Sequence, residues 1–151
     1  MGIKNTMRLN TVNVLTTLRD LMVSSWVKGS FRDIYTNKMC LMGGVDEAVA
    51  RLNNGTGLTA FTNAPNTYVL HKGAVEDMGN KNAKNVLNPK TPKDFAIKAA
   101  RYLQAAASKY RGARVGVVSF NDSNATEKKD ILAVCDIAIK AAKRRHLPQL
   151  A

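Results

Sequence analysis

Apolar residues recur at three- and four-residue spacing in four stretches of the chain. Between about Leu9 and Trp26 they fall at Val14, Leu15, Leu18, Leu21, Met22 and Trp26. That period puts them on one face of an amphipathic helix. Asn10 or Thr11 supplies a capping side chain, and Gly29 a stop. A second helical pattern runs through Cys40, Leu41, Gly44, Val45, Ala48, Val49 and Leu52, ending at "NNGTG". A third begins at "TPKD". Here Thr91 reads as N-cap, Pro92 as first helical residue and Asp94 as partner in a capping box. Its face is Phe95, Ala99, Tyr102, Leu103, Ala106 and Tyr110, and Gly112 breaks it. The fourth, capped by Thr126, buries Ile131, Val134, Cys135, Ala138, Ile139 and Ala142.

Two stretches read as short strands: Thr67–His71 and the apolar run Arg114–Phe120. Residues 53–91 are rich in Asn, Lys, Gly and Thr and read as a long irregular insertion. The expected architecture is therefore mainly α with a minor β component. One compact domain, 1–151, carries four principal helices, one or two short strands and that loop.

Charge changes the picture more than composition does. The net charge is +12, which draws such a chain to polyanions. Lys140, Lys143, Arg144 and Arg145 cluster at the last helix terminus, and Lys81 and Lys84 lie in the loop, with Lys90, Lys93 and Lys98 following. Together they form a candidate polyanion-binding set, although basic residues at a helix C-terminus also suit its dipole. No zinc spacing or helix-turn-helix pattern accompanies them, so any nucleic-acid contact is expected to be weakly sequence-specific. No apolar run reaches the length of a membrane helix, and the N-terminus lacks the apolar segment of a signal peptide. A cytoplasmic location is expected, with Cys40 and Cys135 reduced.

Cys40 invites a catalytic reading, because a helix N-terminus favours a thiolate. A base is needed too, and the chain offers only His71 and His146. A Cys40–His71 pair oriented by Asn121 or Asp122 has no support in the spacing, so a small buried residue is the better reading. Gly43 and Gly44 lack the Lys-Ser/Thr of a phosphate loop and read as close-approach positions. No cofactor or metal motif is present.

Three pieces, "SWVKGSF", "MCLMGGVDEA" and "VVSFNDSNATEKKDILAVCDIAIKAA", carry a W-x-x-G, C-x-x-G-G/A and F/W-N-D order. That order resembles a family of small actinobacterial and actinobacteriophage proteins whose domain has no assigned function. Gly44 stands where that pattern has Ala. The resemblance implies a phage or actinobacterial origin and no catalytic residues. It suggests that Trp26, Gly29, Cys40, Gly43, Asn121 and Asp122 gather in space as a structural signature cluster. The chain is thus read as a phage-encoded accessory protein that binds a host macromolecule, with a protein as first partner. Non-specific nucleic-acid binding by a basic face is the alternative, and a cysteine- or metal-dependent enzyme a second one.

Overall fold

The computed structural model describes residues 7–33, 35–54 and 88–150. Among these, five helices form a mainly helical single domain. They are α1 (Thr11–Ser25), α2 (Leu41–Asn54), α3 (Pro92–Arg111), α4 (Val117–Asp122) and α5 (Lys128–Arg144). The expected strand Thr67–His71 and most of the 53–91 insertion lie outside the described residues, although α2 continues through residue 54.

Local chemistry sets the helix ends. Asn10 caps α1 by accepting from Asn13 N at 2.8 Å. The Thr91 hydroxyl and the Asp94 carboxylate close a capping box on α3, which ends at Gly112 in the left-handed region (φ 76°). The α5 start differs from expectation. Glu127 is its N-cap, in a capping box with Asp130. The Thr126 hydroxyl instead donates to Phe120 O at 2.7 Å and accepts from Arg111, tying α4 to the end of α3.

The run 114–120 is not a strand. Val117, Phe120 and Asn121 are buried while Val118 and Ser119 are exposed, which is helical spacing rather than alternation. An apolar run this short fits either state, and packing against α2 and α3 decides it. Strand character among the described residues is limited to isolated bridges from Met39 to Trp26 and to Arg32.

α1 packs on α2, α3 and α5, burying Val14, Leu15, Leu18, Leu21 and Met22. Arg19 clamps this contact from outside, with its Nε 2.6 Å from Asp136 Oδ1 on α5. α2 is buried on every side from Leu41 to Ala50, so it is the central helix rather than an amphipathic surface one. Its two glycines explain how the neighbours come so close. A Cβ on Gly43 would fall onto the Phe31 carbonyl oxygen, and one on Gly44 onto the ends of Leu18 and Met22. No described helix is long and apolar enough to cross a membrane.

The two glycines differ in what a methyl group would meet. At Gly43 it meets backbone, which cannot swing aside. At Gly44 it meets flexible side-chain ends, and the gain in helix propensity offsets part of the strain. Gly43→Ala is expected to cost about 3 kcal/mol and Gly44→Ala about 1 kcal/mol in denaturant unfolding. Equal costs would show that the Phe31 loop yields as readily as a side chain.

Candidate functional site

Of the signature residues, the structure joins Trp26, Gly29, Asn121 and Asp122 around one carboxamide, while Cys40 and Gly43 pair with each other at the start of α2. Asn121 is buried in α4, and its side chain makes four hydrogen bonds. Its Oδ1 accepts from Trp26 Nε1 at 2.8 Å and from Leu41 N at 3.1 Å. Its Nδ2 donates to Val27 O at 3.2 Å and to Asp122 Oδ1 at 2.9 Å. Asp122 Oδ1 also accepts from Gly29 N at 2.9 Å, where the loop turns through φ 78°. Lys28 Nζ reaches Ser123 O at 2.7 Å. The loop after α1, the first amide of α2 and the end of α4 are thus joined side chain to backbone. Trp26 is half-buried, with its indole N–H in this network rather than wholly in the core.

Cys40 sits at the entry to α2. Its sulfur accepts from Gly43 N at 3.5 Å and its carbonyl from Gly44 N at 2.8 Å, so it serves as a cap. Burial raises the thiol pKa, outweighing the backbone hydrogen bonds that lower it. That is the reverse of what a thiolate nucleophile needs. The Asn121 amide is fully committed, and His71 lies outside the described residues. Cys135 is buried in α5 and pushed up to about 12 by burial. Among the described residues no group of His, Cys, Asp and Glu has the arrangement of a metal site.

A second assembly lies at the other end of the helices. The start of α1, the middle of α3 and the end of α5 enclose a groove of about 800 Å³. Arg8, Lys98, Arg101, Lys143 and Arg145 contribute to its wall, with Asn10, Thr11 and Asn13 beside them and no acidic residue among the described ones. The first turn of α1 carries no acid either, so its positive end is uncompensated. The side chains of Arg8, Arg101, Lys143 and Arg145 make no hydrogen bond or ion pair among the described residues. By contrast, Arg19 and Arg51 are held by carboxylates, and Arg111 by Thr126 and the Phe120 ring. A shallower depression continues past Arg101 and Leu147 to Arg114.

No known protein family, curated protein or solved structure matches this chain. The family resemblance therefore rests on its three motif pieces alone.

Of the basic residues named from sequence, Lys143 and Arg145 line the groove. Lys140 and Arg144 are exposed on α5 but not in its wall, and Lys81 and Lys84 lie outside the described residues. Sequence reasoning missed Arg8 and Arg101 as partners of this set. The spacing Lys98-x-x-Arg101 on one helical face was the available signal. Arg8 offered none, because only the fold brings it alongside α5.

The centre of α2 holds a buried acidic pair. Asp46 is 1 % exposed, and neither of its oxygens has a hydrogen-bond donor among the described residues. Burial pushes its carboxyl up to about 8, with Arg32 opposing the rise and Glu47 adding to it. Glu47 is also raised by burial, against the hydrogen bond and charge of Arg51 and the charge of Arg32. Its Oε2 lies 2.7 Å from Arg51 Nε, and its Oε1 lies 3.8 Å from Arg32 Nη2.

Two predictions follow from these polar groups. Asn121→Asp keeps the shape but replaces a donor by an acceptor facing Asp122 and the Val27 carbonyl. It is expected to cost about 3 kcal/mol and to shift the emission of Trp26, the only tryptophan. Unchanged unfolding and emission would show that the network is not what joins the three segments. Asp46 gives a pH dependence. Its carboxyl ordinarily titrates at 3.8 and in the fold at about 8, so the folded chain holds a proton that the unfolded chain releases. Stability is full below the lower value and falls as pH rises through the upper one, by at most ~1.4 kcal/mol per pH unit. Asp46→Asn should flatten that slope in unfolding measured between the two values. A slope identical to the parent's would show that Asp46 is not its source.

Proposed function

We propose that this chain binds nucleic acid through the phosphates, in the groove between the ends of α1, α3 and α5. One observation carries the reading. The side chains of Arg8, Arg101, Lys143 and Arg145, from three separate segments, face one concavity with no partner and no acid beside them among the described residues. Unpaired cations held this close repel one another, and an anion relieves that repulsion. The N-terminus of α1, capped by Asn10 but with no acid in its first turn, adds to the same field.

The lining also argues for weak sequence preference. Tyr102 is the aromatic residue in the wall, and it is buried, so it offers no open face for a base to stack on. Phosphate contacts fix position without reading sequence. A host protein was the first partner expected from sequence. The groove favours nucleic acid over it, because five cations stand in its wall while, among the described residues there, Leu147 is the one large apolar side chain that is exposed. Protein interfaces rely on buried apolar anchors at their centre. On the family resemblance, the nucleic acid is that of a bacterial cell infected by a phage.

Binding to a short labelled DNA or RNA should weaken steeply with salt. If five phosphates are engaged, the slope of log affinity against log salt is about −4. Arg101→Ala and Lys143→Ala should each weaken binding and reduce that slope by about 1. Absence of a shift at low salt with any strand type would overturn the proposal. Retention only on an acidic protein surface would move the assignment to a protein partner.

A further inference from the structure

Two helices of this protein end in the same left-handed turn, but with different residues. α3 ends at Gly112 (φ 76°, ψ 15°). α5 ends at Arg145 (φ 61°, ψ 32°), whose backbone N–H reaches back to Ala141 O and Ala142 O. Glycine is the usual residue at such a position, because any Cβ crowds the backbone there. An L-residue in this region costs stability that Gly112 avoids. The Arg145 side chain makes no hydrogen bond or ion pair with the described residues that would offset it. It is exposed and lines the groove beside Tyr102, whose hydroxyl its charge reaches. The turn itself needs only the backbone, and the favourable meeting of a cation with the negative end of α5 is already supplied by Lys143 and Arg144 in its last turn.

We propose that Arg145 is a dedicated phosphate-binding residue, kept at a backbone position suited to glycine, so that binding in the groove is obtained at the expense of helix-end stability. This rests on the nucleic-acid reading of the groove and makes it more specific. The guanidinium fork takes two oxygens of one phosphate at once, which an ammonium cannot do. At the left-handed turn the Arg145 side chain stands in the groove wall.

The test measures thermal stability and affinity for a short labelled DNA duplex and its single strand, at low salt, for the whole chain. Arg145→Gly relieves the backbone and removes the fork. The melting temperature should rise by about 2 °C, while affinity falls roughly five- to tenfold. Arg145→Lys keeps the charge near the α5 dipole and the backbone strain. It should melt like the parent and bind with intermediate affinity. The proposal is overturned if Arg145→Gly binds as tightly as the parent while Arg101→Ala binds more weakly. In that case the groove stands and Arg145 is not its phosphate ligand. It is equally overturned if Arg145→Gly melts lower than the parent, since the turn would then favour arginine. A parent chain that binds neither probe at low salt removes the nucleic-acid reading together with this one.

Discussion

The fold turns on the carboxamide of Asn121. A buried amide offers two donors and two acceptor lone pairs, and here all four are used. Its partners come from α2, from the loop after α1 and from its own helix. Apart from the neighbouring Asp122, none of these is close in sequence, since Trp26 and Asn121 are 95 residues apart. Leaving any one of them unmade would strand a polar group away from water, at a cost of about 1–3 kcal/mol. Such a junction therefore specifies one arrangement of the three segments rather than merely favouring it. Asp122 extends the junction to Gly29, where the left-handed turn lets the loop approach.

That junction has a consequence for α2. The loop it pins carries Phe31, whose carbonyl lies against Gly43, while Leu18 and Met22 of α1 lie against Gly44. A helix enclosed this completely would normally be apolar throughout. This one keeps Asp46 and Glu47 at its centre, with Arg32 and Arg51 drawn in towards Glu47. Replacing a buried ion cluster by apolar residues often leaves stability unchanged or raises it. The glycines and the acids are thus two sides of one constraint. The backbones come close enough to exclude water, and the charges inside are then held by one another or by a proton.

Much of this was legible in the chain and some was not, for physical reasons. The Thr91–Asp94 capping box, the Gly112 stop and the apolar face of α1 are local, so their residues announce them. The close-approach role of Gly43 and Gly44 followed from the absence of any phosphate-loop partner. The run 114–120 was misread because its β-branched residues suit a strand while its burial obeys a helical period. Thr126 was misplaced as a cap because Glu127, a less usual choice, forms the box with Asp130. The groove was half visible. Lys143 and Arg145 stand in an evident basic run, whereas Arg8 joins them only because the fold brings the start of α1 beside the end of α5.

The two polar assemblies divide the charged residues by role. Near the Asn121 junction every donor named has an acceptor, down to the lysine that closes on Ser123 O. At the opposite end the groove collects Arg8, Arg101, Lys143 and Arg145, whose side chains have no hydrogen bond or ion pair among the described residues. Folding alone offers no gain from this. Like charges in one concavity oppose compaction, and long side chains without partners keep their rotamer freedom in solution. A phosphate entering the groove would meet donors that need no release from existing partners, so its binding would not have to break an ion pair first. The same reasoning separates Lys143 and Arg145 from Arg19 and Arg51. All four are basic and lie in or at the end of a helix, yet among the described residues only the first pair is left without a carboxylate. The feature that tells binding cations from structural ones is therefore not their charge but what the fold has already done with it.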